Sequence, residues 1–429
     1  MKNIIYTIFL LHSFTMLNGE INLNEYAPQE NATHNYNTGN IEETKLAICI
    51  YGTSYLSNII DTTKETIKKI DDIACIDYGT ELTFKSTLSK CINNDIPLCI
   101  KFEEEQNTNT ISWKLYRTSE KKFIKGKKYR IIQKKTHALI RKMLYDIWIT
   151  IFEEPINPFN MFLLYLDTDP QSHKNKIMKT QPFLPQLSKC LVSSKRNIID
   201  LAAAPSQQNQ SIIFIQQVGR YMYMNKIEYN GQIISFYKTK STISSPTINA
   251  DGLFFIENQK IHYYRFDELE NKFRVTQLDT HQDYASIYSI PNEHTIFVSR
   301  NQNIYQISYA ITTDKNEINI EKATKVTEKN IPSTNMTYDP HSKRLIVSQK
   351  INHYYQLVIY DKDNKTILTT SPLHKQDPVI SPCQNYISYV AQNDEGNRYI
   401  EIIHIPTKKI HRVTEEPGLY RFTNWIIQA

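Results

Sequence analysis

The sequence predicts two unlike parts, an α/β N-terminal domain followed by an all-β six-bladed β-propeller. Two observations lead there. Up to about residue 165, strand-like apolar runs alternate with helical periodicity. Beyond it the helical periodicity disappears, and short apolar runs recur, each announced by a turn. A chain with 28 tyrosines and many isoleucines also leans toward strand formers. The boundaries read as a leader over 1–19, an arm over 20–44, the α/β domain over 45–160 and the propeller over 161–429.

The leader has the order of a cleavable secretory signal peptide. Lys2 precedes the apolar stretch Ile4–Leu11, which fades through Phe14, Met16 and Leu17 to Gly19, with no acidic residue before Glu20. Export places the mature chain outside the cytoplasm. Residues 20–44 are rich in Asn, Glu and Thr and poor in core formers, the composition of a flexible arm. After the leader no apolar run reaches the roughly 18 residues needed to span a bilayer, so the body reads as soluble.

In the first domain, Leu46–Tyr51 reads as a buried strand. Leu56, Ile59, Ile60, Ile67 and Ile70 mark a helical face. Strands follow over Ile73–Tyr78 and Ile96–Phe102. Ile111–Tyr116 alternates and pairs with Phe123–Ile132 as a hairpin. A helix from Thr136 to Phe152 carries Ile140, Met143, Leu144, Ile147, Trp148 and Ile151 at spacings of three and four; Thr136 caps it, and Pro155 and Pro158 stop it.

The propeller rests on recurring turn anchors at Pro205, Ala250, Pro291, Pro340, Pro382 and Ile426, separated by 41 to 49 residues. An apolar strand follows each of the first five, and a second strand follows most of those. A four-stranded blade cannot bury both its faces alone, so blades pack around an axis and cover one another. Trp425-Ile426-Ile427 is expected to pair with Phe162–Leu166 and close the ring.

Catalytic signatures are missing. The chain has no G-x-S-x-G elbow, H-E-x-x-H, P-loop, EF-hand loop or G-x-G-x-x-G, and its 12 histidines are scattered. His137 reads as a capping or packing residue. Asp251-Gly252 reads as turn chemistry, and so do Asp361, Asp363 and Asn364. Sequons stand at Asn31, Asn209, Asn335 and Asn364, as an Asn/Thr-rich chain would carry by chance. No catalytic residue, cofactor or metal ligand is assigned. The six cysteines (Cys49, Cys75, Cys91, Cys99, Cys190 and Cys383) show no CxxC or metal-like spacing. Small buried hydrophobes is the simpler reading, and one bridge among the first four stays open.

One charge feature stands out. Twelve basic residues lie between Lys114 and Lys142, with Glu120 alone opposing them. Lys121, Lys122, Lys125, Lys127 and Lys128 are its centre and the candidates for meeting an anionic surface; a solvated hairpin is the alternative. Few aromatics are interleaved, and export argues against nucleic acid.

An exported α/β domain ending in a helix and followed by six blade-like units resembles the TolB family of the Tol–Pal system. The residues that carry the resemblance are Lys45–Tyr51, Ser112–Thr118, and His137–Tyr145 running on to Phe159 and Leu163–Leu166. Asp377–Pro382 belongs with them, together with Asn385, Ile387 and Tyr389. Ile140-Arg141 stands where the family has Ser-Asp, and most blade turns depart from the family pattern. The resemblance implies a non-enzymatic periplasmic scaffold that acts as a monomer and reaches membranes only through membrane proteins. Its expected partners are Pal, the peptidoglycan-associated lipoprotein, on one propeller mouth, and a TolA-type inner-membrane protein on the arm. The role would be outer-membrane integrity and support of cell division. In the arm, Ile21, Leu23 and Tyr26 are the apolar candidates for partner contact. Two other classes remain open: a propeller enzyme of lyase or lactonase type with a central metal, and a periplasmic assembly or binding propeller unrelated to Tol. A propeller oligopeptidase needs a hydrolase domain with a nucleophile elbow, and only about 120 residues remain outside the propeller.

Overall fold

The computed structural model describes residues 46–428 apart from 53–56, 71–72, 77–82, 106–107, 132–134, 204–211, 229, 250, 268–271, 279–282, 291–292, 313–316, 329–330 and 362–363. The signal-peptide and arm expectations, with Ile21, Leu23 and Tyr26, fall outside the described residues. Two compact units meet in sequence between Met143 and Leu144.

Unit 1 is an α/β fold built on one five-stranded sheet. Its elements in order are β1 (Leu46–Tyr51), α1 (Ser57–Lys68), β2 (Ile73–Ile76), α2 (Phe84–Asn93), β3 (Leu98–Glu105), β4 (Thr110–Arg117) and β5 (Lys122–Arg130). The sheet order is β2-β1-β3-β4-β5. β1 runs parallel to β2 and β3, whereas β3, β4 and β5 form an antiparallel meander. The expected hairpin is the β4–β5 pair. Its inner face holds Trp113, whose Nε1 donates to Tyr129 Oη at 2.9 Å, with both side chains buried. α2 was not anticipated. Ten residues long, it buries only Thr87, Leu88 and Cys91, too few apolar positions to register as a periodic face. Thr83 caps it, accepting from the Ser86 N–H at 3.2 Å. α3 (Thr136–Phe152) follows the span given by its apolar spacing, and the two compact units divide in sequence inside it.

Unit 2 is a six-bladed propeller. In chain order its strands are β6 (Met161–Thr168), β7 (Asn175–Gln181), β8 (Leu184–Ser194), β9 (Ile198–Ala203), β10 (Ile212–Val218), β11 (Tyr221–Ile227), β12 (Ile233–Thr239), β13 (Ile243–Ile248), β14 (Leu253–Glu257), β15 (Lys260–Asp267), β16 (Lys272–Gln277), β17 (Ser286–Ser289), β18 (Thr295–Arg300), β19 (Asn303–Thr312), β20 (Glu317–Lys325), β21 (Ser333–Asp339), β22 (Arg344–Ile351), β23 (Tyr354–Asp361), β24 (Asn364–Ile367), β25 (His374–Ile380), β26 (Tyr386–Gln392), β27 (Arg398–His404), β28 (Ile410–Arg412) and β29 (Arg421–Ile427). Five blades are consecutive antiparallel meanders. The sixth has the order β29-β6-β7-β8, so the last strand of the chain joins the first of the propeller. Trp425 lies opposite Leu163 and Ile426 opposite Phe162, the closure expected from the sequence.

The core sits between the blades. One cluster joins Leu164, Leu166 and Ile177 of one blade to Leu201, Ile212 and Phe214 of the next. Equivalent clusters lie between each further pair as far as the β25–β28 blade. The second strand of each blade is therefore covered on both faces. Ile212–Ile215, Leu253–Glu257 and Tyr386–Ala391 are buried without a break, which is why they read as short, mostly apolar runs. The β25–β28 blade also buries an ion pair, Lys375 Nζ to Glu401 Oε2 at 2.9 Å. Asp251-Gly252 does form a turn. A Cβ on Gly252 would lie 2.8 Å from the Tyr264 carbonyl oxygen, and the Asp251 carboxylate accepts from Tyr309 Oη at 2.7 Å.

Trp425 ties β29 across to β25, its Nε1 donating to the Val379 carbonyl at 3.0 Å. Trp425→Ala should lower unfolding free energy by about 3–5 kcal/mol, read by urea denaturation. A loss under about 1 kcal/mol would mean that β29 is not what closes the ring.

Candidate functional site: the propeller channel

Six inner strands, β29, β9, β13, β17, β21 and β25, follow one another around the axis, each packed against the next. They enclose a cavity of about 320 Å³. The walls mix polar residues such as Asp200, Ser245, Thr247 and Asn335 with proline and apolar side chains, where the inter-blade clusters are almost wholly apolar. These strands carry Ser, Thr, Asp, Asn and Pro among their apolar residues, and their side chains serve the neighbouring blade. Ser289 N–H donates to Thr247 Oγ1 at 3.1 Å, and Ile380 N–H donates to Thr337 Oγ1 at 3.2 Å.

Irregular pairing shapes the channel further. The register shifts in β9, β13, β21, β25 and β29 against their blade partners. Such bulges re-aim side chains and free backbone donors. Ser245, Asp377 and Phe422 stand at these shifts with φ of 51°, 51° and 47°, left-handed backbone that costs a non-glycine residue roughly 1–2 kcal/mol. Two carboxyl groups hold two of these bends. Asp200 Oδ2 accepts from the Ser245 N–H at 2.6 Å, and its Oδ1 accepts from Leu201 N–H at 2.8 Å. The Asp377 carboxyl accepts from the Phe422 N–H in the same way. In each case a carboxyl on one inner strand receives the N–H of a left-handed residue on the next. Asn335 Nδ2 adds a donor to Asp377 Oδ1 at 2.5 Å.

Burial pushes the Asp200 carboxyl up to about 7, against the pull of its two N–H donors. It pushes Asp377 up to about 6, offset by the Phe422 N–H and by Arg398 and Arg421. Burial and the neighbouring Arg398 lower the Arg421 guanidinium, while both aspartates oppose that shift. The channel thus joins a shape-defined recess to carboxyl groups that change charge near neutrality. It can offer hydrogen bonds to an inserted loop, and its charge balance follows pH.

The sequence-derived candidates lie elsewhere. Lys122, Lys125, Lys127 and Lys128 are on β5, the edge strand of the unit 1 sheet, and Lys121 is in the turn before it with φ of 53°. Lys121, Lys122 and Lys125 are exposed, and Lys127 and Lys128 are half-buried. His137 is in the first turn of α3. Asn335 spends its side-chain amide on Asp377 inside the channel. In the sequence Asp377 stands in the turn run Asp377–Pro382, and no turn or motif marks Asp200. The usable signal for Asp200 is a single carboxylate inside the run Ile198–Ala203, where burial on both sides makes a charge costly.

No family model matches the sequence, and no curated protein matches it. Solved structures match it by shape. TolB from Acinetobacter baumannii superposes with a TM-score of 0.71 at 13% identity, covering 89% of this chain and 96% of that one. A nidogen/laminin complex gives 0.45 at 12% identity over 63% of this chain and 100% of that one. The β-propeller domain of the trilobed protease from Pyrococcus furiosus gives 0.41 at 9% identity over 60% and 95%. The first likeness takes in the N-terminal α/β region with the propeller, and the fold is TolB-like.

Both aspartates have folded-state values above the ordinary 3.8. Their contribution to stability is complete below about pH 4 and is lost as pH rises through 6 and 7. The stability of the wild type relative to Asp200→Asn should therefore fall by on the order of 1–3 kcal/mol between pH 5 and pH 8, measured by urea unfolding at both. A difference that stays constant over this range would refute the buried-acid assignment.

Proposed function

We propose that the protein is an exported, non-enzymatic scaffold of the Tol–Pal type. Its propeller would dock Pal at a channel mouth, and its N-terminal arm would engage a TolA-type inner-membrane protein, supporting outer-membrane integrity and cell division. The observation that carries this reading is the joint likeness to A. baumannii TolB of the N-terminal α/β region and the propeller, over 89% of this chain. The leader-like start of the sequence, Lys2 through Gly19, supports a periplasmic location. A ring with a preformed recess suits docking of a folded partner, because its interface needs little ordering on binding.

The enzymatic alternative asks for different chemistry. A central metal in a lyase or lactonase needs several ionised carboxylates or imidazoles converging on one point. Among the described residues, the channel lining offers two carboxyl groups and no imidazole. Both are pushed toward the neutral form, and both already accept backbone N–H groups.

Purified protein should capture Pal and a TolA-type partner from the same cells. Deleting residues 20–29 should weaken capture of the inner-membrane partner at least tenfold, with Pal capture and the melting temperature unchanged. Failure of the intact chain to retain Pal would overturn the reading. Stoichiometric calcium lost on Asp377→Asn would favour the enzyme.

A further inference from the structure

Unit 1 gathers sulfur. Cys49 on β1 and Cys99 on β3 are direct partners in the parallel register. Cys91, in the last turn of α2, completes a triangle with them. All three side chains are fully buried. Their Sγ atoms lie within 4.8 Å of one another. The sequence separations of 42 and 8 residues hide the group: it exists only because β1 and β3 are neighbours and α2 packs back on them.

We propose that Cys49, Cys91 and Cys99 form a three-sulfur site for Cu(I). Donor type and number carry the argument. Thiolates are soft ligands that select Cu(I), Zn(II) or iron–sulfur clusters. Structural Zn(II) almost always takes four ligands in a tetrahedron. Here no histidine, carboxylate or fourth cysteine joins the group among the described residues. Around it pack Ala47, Ile76, Phe84, Leu88, Ile96 and Tyr116, an apolar shell that excludes water as a fourth ligand. Three sulfurs in a dry pocket match a cation content with trigonal coordination. Metal–sulfur bonds of about 2.3 Å set the sulfurs about 4.0 Å apart, so the triangle needs to close by less than about 1 Å.

Binding is a proton exchange. Two Cu–S bonds form as two thiols lose their protons to solvent, and the third sulfur coordinates through its lone pair as the neutral thiol; copper remains Cu(I) and no electron moves. Two thiolates and one retained thiol around Cu(I) leave a single negative charge in the shell, which limits the burial cost. Cys75 provides an internal control. It lies opposite Ile48, whereas Ile76 lies opposite Cys49, so Cys75 is on the other face of the sheet.

The test uses reduced, purified protein under anaerobic conditions, titrated with Cu(I) against the chelator bicinchoninate. One Cu(I) per chain should be withheld from the chelator. Cys91→Ser should weaken retention at least a hundredfold, and Cys75→Ser and Cys383→Ser should leave it unchanged. Copper K-edge absorption on the loaded wild type, which needs no variant to fold, should show three sulfur neighbours. Equal copper loss from wild type and Cys91→Ser would overturn the proposal, and so would preferential retention of Zn(II). A thiol count of four rather than six in protein denatured without reductant, with a bridge mapped to two of these three cysteines, would replace the metal site by a disulfide.

Discussion

The inner strand of the blade built on β6, β7 and β8 comes from the far end of the chain, and the ring stands or opens with it. β29 pairs with β6 along its length and packs against β25 on one side and β9 on the other. A blade covers its faces only by contact with its neighbours. Losing β29 would therefore uncover the edge of β6 and the flanks of two further blades, much more surface than one strand presents. Chain separation is a weak objection to such a contact, since loop-closure entropy rises only with the logarithm of loop length. The contacts that hold β29 are specific. Trp425 reaches the Val379 carbonyl, and Ser388 Oγ donates to Thr423 Oγ1 at 2.9 Å. Phe183 and Tyr386 stack edge to face, 5.5 Å between centroids, where the two end blades meet.

Closure has a consequence for the axis. The innermost strands give some apolar side chains, such as Leu201, Ile243 and Ile287, to the clusters between blades, and they also join neighbouring blades by hydrogen bonds. Their cross-blade bonds recur at sequence separations of 42 to 46: Thr247 with Ser289, Thr337 with Ile380, Asp200 with Ser245, Asn335 with Asp377, Trp425 with Val379. The bulges belong to the same construction. An extended strand would turn its N–H groups into its own ladder; a left-handed residue at Ser245 or Phe422 swings one toward the preceding inner strand, where Asp200 or Asp377 receives it. The channel chemistry is thus a by-product of how the blades are joined, and the recess comes with two acids whose burial raises them toward neutrality.

The sequence made some of this legible and hid the rest for a physical reason. Second strands such as Leu253–Glu257 and Tyr386–Gln392 are covered on both faces and announce themselves as apolar runs between turns. The closing pair, Trp425–Ile427 with Phe162–Leu166, followed from counting units. Inner strands such as Ser286–Ser289 and Ser333–Asp339 escaped, because polar contacts to the next blade dilute the pattern. Outer strands escaped because solvent covers them: Asn364–Ile367 is exposed at every residue. In unit 1 the same limit hid α2 and, with it, the meeting of Cys91 with Cys49 and Cys99. Asp200 and Asp377 depend on contacts about 45 residues away, a range that local periodicity does not report.

The basic run also looks different once strand positions are known. Every outermost propeller strand carries a cation: Lys189 on β8, Lys238 on β12, Lys272 on β16, Lys322 on β20, Lys365 on β24 and Arg412 on β28. β5 is the corresponding edge of the unit 1 sheet, and Lys122, Lys125, Lys127 and Lys128 all lie on it. An edge strand offers unpaired N–H and C=O groups to any other strand it meets, and lysine is a common means of preventing that pairing. Exposed apolar side chains raise the stakes, with Ile124 on β5, Ile233 and Ile234 on β12, Ile367 on β24 and Ile410 on β28 all in the open. Each of these strands joins an apolar residue to a free edge, the combination that favours aggregation, and each sets a cation beside it. The density of lysine on β5 then needs no anionic partner to account for it, which shifts the search for recognition chemistry toward the channel.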